Sequence, residues 1–111
     1  MGTTKTDLFS IEQNELAQLA KVFAHPARIA IIQFLVRSQG CINSDLVEEL
    51  GLAQPTVSQH LRELKDIGII QGTIDGTRMN YCIDSKRWTE IQHLFERFFS
   101  SFQAPPDAHC C

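Results

Sequence analysis

With 111 residues, 43% hydrophobic and 21% charged, the chain is long enough to bury one modest core without structural disulfides. No run approaches the roughly 20 apolar residues of a membrane span, and the start lacks a basic-apolar-small leader. A cytoplasmic protein with no membrane partner is therefore expected, its four cysteines present as thiols. The net charge of −3 argues against a nucleic-acid binder acting through bulk charge, yet residues 54–87 carry five basic against four acidic side chains between acidic flanks.

Residues 1–9 read as a loose arm, and the Met1-Gly2 start, like the Cys110-Cys111 end, matches only short lipidation patterns that arise by chance. Ser10-Ile11-Glu12-Gln13 is a capping box that opens a first helix. Leu16, Leu19, Ala20 and Phe23 share one of its faces. Pro26 restarts the chain as a second helix, where its missing N–H is harmless. Ile29, Ile32, Leu35 and Val36 give that helix its core face. Ala30, Ile31 and Phe34 widen the face, as in a central helix. It ends near Ser38, with Gly40 free to take the left-handed cap.

A short third helix, Asp45 to Leu50, is capped by Asn43 or Ser44 and stopped by Gly51. A fourth follows, with Pro55 in its first turn and Val57, Leu61, Leu64 and Ile67 on its buried side, ending at Gly68. Ile69–Ile74 and Arg78–Ile83 are two strands joined by the Asp75-Gly76 turn. Such a pair is not stable alone and must lean on the helices. Asp84 or Ser85 opens a last helix carrying Trp88, Ile91, Leu94, Phe95, Phe98, Phe99 and Phe102, stopped at Ala104-Pro105-Pro106. The expected fold is thus mainly α with a β-hairpin wing, a winged helix-turn-helix of five helices and two antiparallel strands. It fills residues 10–103, with a tail at 104–111.

Two helices joined by a tight turn place the second in a DNA major groove. Removing the buried residues of the fourth helix leaves Gln54, Thr56, Ser58, Gln59, Arg62 and Glu63 facing outward. Gln suits adenine edges, Arg suits guanine edges or phosphate, and hydroxyls suit phosphate. The candidate DNA contacts are Gln54, Thr56, Ser58, Gln59, Arg62, Lys65 and Arg78, with Lys65 on phosphate and His60 as a packing or bracing residue. An interaction module without DNA would more often show an acidic or apolar outer face there. No catalytic constellation or phosphate loop emerges, and a vicinal dithiol with His109 as base lacks a pocket, so no enzyme is expected.

Phe23-Ala24-His25-Pro26-Ala27-Arg28, Asp45-Leu46-Val47, Gln54-Pro55-Thr56-Val57-Ser58-Gln59-His60-Leu61-Arg62-Glu63-Leu64, Gly68-Ile69-Ile70 and Gly76-Thr77-Arg78-Met79-Asn80-Tyr81 together resemble the ArsR/SmtB family of bacterial repressors. The resemblance runs over residues 11–102. It implies a homodimer joined through first and last helices, bound to double-stranded operator DNA until an inducer releases it, with no required cofactor. The Phe-rich last helix independently calls for a partner surface.

One class in that family carries Cys-x-Cys-Asp-Leu at the third helix. Here Cys41 matches its first position, and Asn43 stands where the second would be. A zinc class uses Asp, His, His and Glu about the last helix. Here His93 and Glu96 have Asn80 and Cys82 at the upstream positions, so zinc is not expected. Cys41, Cys110 and Cys111 remain as a possible pyramidal trithiolate for trivalent arsenic or antimony. That metalloid is the first reading of the inducer, and a persulfide or oxidant sensor joining Cys41 to Cys110 or Cys111 is the alternative. Cys82 reads as a small packed residue of the wing.

Overall fold

The computed structural model describes residues 8–42, 46–75 and 78–107, the side chains of Ile42, Ile74, Asp75, Arg78 and Met79 excepted. Among these the chain forms five helices: α1 (Ile11–Val22), α2 (Pro26–Arg37), α3 (Leu46–Leu50), α4 (Gln54–Asp66) and α5 (Ser85–Ser100). The strands are β1 (Cys41–Ile42), β2 (Ile70–Asp75) and β3 (Arg78–Ile83). This is the expected winged helix-turn-helix, but its hairpin pairs from Ile70↔Ile83 to Asp75↔Arg78, so Asp75 closes β2 instead of standing in the expected Asp75-Gly76 turn.

Two of the local signals act as read. Ser10 Oγ accepts from the Gln13 N–H at 3.0 Å, and Gln13 Oε1 accepts from the Ser10 N–H at 2.9 Å. Pro26 stands at the start of α2. The left-handed position after the Ser38 cap is taken by Gln39, at φ 60, not by Gly40 as expected; Gly40, at φ 92, follows and donates its N–H to the Leu35 carbonyl at 2.7 Å, closing the helix.

The core joins Leu19 and Val22 of α1, Ile31 and Leu35 of α2, Leu46 of α3, the Val57–Leu61–Leu64 stripe of α4, Tyr81 of β3, and Ile91 and Leu94 of α5. Each fully buried Leu or Ile contributes about 1.5–3 kcal/mol through loss of apolar surface. That stripe fixes which side of α4 is turned away from the core.

Three further expectations need correction. The core face of α2 is rotated from the expected one: Ile31, Ile32 and Leu35 are buried together with the charged Arg28, whereas Ile29 and Val36 are 38% and 53% exposed. A helix apolar nearly all round gives no preferred face, so neighbouring elements decide it. Next, α5 ends at Ser100, short of the proline stop, because the Ser101 hydroxyl donates to the Phe98 carbonyl at 2.7 Å. Phe102 lies beyond the helix.

Finally, the sheet has three strands in the order β1-β3-β2. The two residues of β1 are too few to show a period-2 pattern. Cys41 pairs with Cys82 and Ile42 with Tyr81, and the Ile83 N–H donates to the Gly40 carbonyl at 2.6 Å. The wing is therefore paired on both sides of β3 rather than being an isolated hairpin.

Candidate nucleic-acid interface

A five-residue α3, a turn at Gly51 and the 13-residue α4 form a helix-turn-helix. At about 1.5 Å per residue α4 spans roughly 20 Å. Ala53 at its N-cap makes no side-chain capping hydrogen bond, and Pro55 stands in the first turn.

Thr56, Gln59 and Arg62 are exposed and recur at three-residue intervals, so they line one outward face. Gln59 Nε2 donates to Glu63 Oε1 at 3.0 Å. Gln54 and Ser58 are half-buried, joined by an Nε2 to Oγ bond of 3.2 Å. Lys65 is exposed, but its Nζ donates to the Gly72 carbonyl at 2.7 Å. Its ammonium thus braces α4 against β2, with donors left over for a further acceptor. Arg78 stands in β3 opposite Asp75, and its side chain lies outside the described residues. Arg87 belongs to the frame rather than to this face: it meets Glu15 at 3.4 Å, Glu90 at 3.3 Å and the Ile67 carbonyl at 3.0 Å.

Behind α4 sits a polar junction that the sequence reading missed. The Arg28 Nη1 donates to the Val22 carbonyl at 3.2 Å, at the C-terminal turn of α1. The Arg28 Nε donates to His60 Nδ1 at 3.0 Å, across to α4. A guanidinium only donates, so Nδ1 must be the unprotonated nitrogen of His60. The His25 ring lies 5.8 Å from that of His60. His60 is held below its ordinary pKa by burial first, then by Arg28 and His25, against an opposing pull from Glu63. The signal for the bracing role of His60 was its place beside the buried stripe. Nothing in periodicity marks Arg28, because a charge on an apolar helix reads as surface.

The cysteines depart from expectation. Cys41 and Cys82 are cross-strand partners with Cα atoms 4.0 Å apart, and their sulfurs form a disulfide. Cys82 is therefore not simply a packed thiol. Without β1 no spacing rule could have joined residues 41 positions apart. Cys41 is exposed and Cys82 half-buried, so reductants and other thiols can reach the pair. The candidate ligands Cys110 and Cys111, like the Asn43 and Ser44 caps, lie outside the described residues, so only Cys41 of the proposed trithiolate is placed. His93 is exposed on α5.

Residues 25–71, the helix-turn-helix and its entry, match the family model described as bacterial regulatory protein, arsR family. The chain is 30% identical over 95 residues to a probable mercury resistance operon repressor of Streptomyces lividans, covering 86% of this chain and 74% of that one. It is 42% identical over 64 residues to the HTH-type transcriptional repressor SmtB of Mycobacterium tuberculosis, covering 58% of this chain and about half, 47%, of that one. In structure it is similar to the transcriptional repressor BigR from Xylella fastidiosa. There the TM-score is 0.57 and the identity 28%, with 92% of this chain and 100% of that one covered.

Proposed function

Because the chain belongs to the arsR family of bacterial regulatory proteins and is a winged helix-turn-helix transcriptional repressor, we propose that it binds its operator as a homodimer and lets go when the thiol of Cys41 is modified. The outward face of α4 carries the DNA part of this reading. Thr56, Gln59 and Arg62 present a donor-rich surface, with Arg62 on a guanine edge or phosphate and Gln59 on an adenine edge. Gln54, Ser58, Lys65 and Arg78 add phosphate contacts. Arg62→Ala should weaken binding by about 1–3 kcal/mol, about five- to 150-fold, and relax preference at one operator position. Fluorescence anisotropy with duplexes varied base by base reads both. An unchanged affinity would move base reading elsewhere on the helix.

The Cys41–Cys82 pair favours an oxidant as the inducing signal. Two thiols lose two protons and two electrons to the oxidant as the sulfurs join. The disulfide then fastens β1, at the entry to α3, to the wing strand β3. A ligand or modification releases DNA only if the released dimer shape is its preferred one, with α4 and its partner copy out of step with half-sites about 34 Å apart. The second reading is trivalent arsenic or antimony on Cys41, Cys110 and Cys111. It requires Cys41 reduced, and soft-metal chemistry is in keeping with the similar mercury resistance operon repressor.

Gel shifts with the duplex upstream of the chain's own coding sequence separate the two. Diamide should release wild type and the Cys110-Cys111 deletion but neither Cys41→Ser nor Cys82→Ser. Arsenite acting through the trithiolate would release wild type and Cys82→Ser but not the deletion. Release of Cys41→Ser by both agents would remove Cys41 from the mechanism.

A further inference from the structure

The Arg28–His60 contact joins a buried arginine to a half-buried histidine directly behind the DNA-facing helix, and the reading of α4 does not use it. Arg28 is 9% exposed, the buried charge among the described residues. Its planar fork spans three helices: it grows from α2, takes the Val22 carbonyl of α1, and reaches His60 of α4. The other anchors of α4 on this side are apolar, Val57, Leu61 and Leu64. Apolar contacts resist separation but tolerate small rotation and sliding, whereas a hydrogen bond from a fixed guanidinium has direction. Gln59 and Arg62 lie one and two residues from His60, so a turn of the helix at His60 redirects both.

We infer that Arg28 is a positioning residue for DNA recognition, orienting α4 through a neutral His60 whose Nδ1 accepts its Nε–H. This rests on the assignment of α4 as the DNA-reading helix. A proton on Nδ1 would turn the acceptor into a donor facing a cation, so the clamp holds only while His60 is unprotonated.

The charged groups around the pair come from each helix packed there. The cleft beside it is lined by Gln18 and Lys21 of α1, His25 at the N-cap of α2, Arg28 of α2, and Glu63 and Asp66 of α4. Arg28 and His25 disfavour the proton, and Glu63 favours it. Since the folded chain holds His60 below its ordinary 6.5, the unfolded chain binds more protons in the interval between the two values. The clamp's contribution is therefore full above about 6.5 and is lost as pH falls through the lower, folded value.

The direction makes the inference testable. A histidine merely lying near phosphate gains charge as pH falls and tightens binding. The clamp predicts the reverse. Anisotropy with a labelled duplex from the chain's own upstream region should show affinity falling about three- to tenfold from about pH 7.5 to about pH 5.5. This is the range in which histidine titrates and the scale of one hydrogen bond to a charged group.

His60→Asn puts an amide oxygen near the Nδ1 position without a titrating group. It should bind within about twofold of wild type at the higher pH and lose the downward slope. Arg28→Lys, which keeps the charge but not the fork, should bind more weakly at the higher pH. Circular dichroism at each pH establishes that the variants are folded.

Wild-type affinity that holds or rises on acidification overturns the inference, as does a His60→Asn profile that tracks wild type. So does a melting temperature that falls with pH while DNA affinity stays constant, since the contact would then be structural alone. No DNA binding by wild type at the higher pH would instead overturn the assignment of α4, and the inference with it.

Discussion

Phe98→Glu with Phe99→Glu should turn the proposed homodimer into a folded monomer whose operator affinity is lower by about two orders of magnitude or more. Both rings stand on α5 and are 55% and 71% exposed, edge to face with centroids 5.1 Å apart. Phe102 and Ile11 are exposed as well, at 74% and 87%. Alongside runs a groove of about 640 Å³ between α1 and α5, whose lining includes Leu16, Ala17, Ala20, Phe95 and Phe98. Every fully buried Phe is worth about 1.5–3 kcal/mol, and two carboxylates in such a face would face their symmetry copies in a two-fold dimer. The variant spares Ile91 and Leu94, through which α5 holds the core, so the protomer keeps its fold. Losing one of two half-site contacts removes the effective-concentration gain, about 100- to 10,000-fold. Sedimentation equilibrium and gel shift measure the two effects. A variant that stays dimeric would put the interface on another face.

Gly72→Ala should cost about 3 kcal/mol or more and open the wing. Gly72 has φ 133, a conformation side chains disfavour. A Cβ there would also run into the Asn80 carbonyl oxygen and lie 2.6 Å from Tyr81 Cα, both backbone atoms of the paired strand. Backbone cannot move aside without breaking the β2–β3 ladder, so conformational strain and steric overlap add. Tyr81 is 1% exposed and anchors the sheet to the helices, so the damage should reach the core. Chemical denaturation gives the loss in stability, and hydrogen exchange should show faster exchange in β2 and β3 than in α1. A change below about 0.5 kcal/mol, the ordinary range for surface substitutions, would mean that the strand accommodates the methyl group.

The elements legible in the sequence are those with local causes. The Ser10 cap, Pro26 at its helix start, the two hairpin strands and the Val57–Leu61–Leu64 stripe each follow from a few neighbouring residues, whereas Asp75, expected in the turn, pairs with Arg78. Of the six residues left over from that stripe, Thr56, Gln59 and Arg62 are exposed, whereas Gln54, Ser58 and Glu63 are half-buried. What was not legible depends on distant partners. The pairing of β1 needs residue 82 beside residue 41. Arg28 is buried because Val22 and His60 supply two acceptors from other helices, and an isolated Arg in an apolar run gives no sign of them. Lys65 was assigned to phosphate from charge alone. Its bond to Gly72 becomes visible only when the wing folds back onto α4.

That bond, with the Arg28 fork, separates how α4 is mounted from what it displays. The mount uses His60 and Lys65 together with the apolar stripe. The display uses Thr56, Gln59 and Arg62, which are exposed, and exposed helix positions away from such anchors usually tolerate exchange within about 0.5 kcal/mol. With these three positions reading the operator as proposed, its preference can drift, or be rewritten by randomising them, without first solving a stability problem. Descendants of one ancestral chain could come to serve different promoters while keeping the same frame.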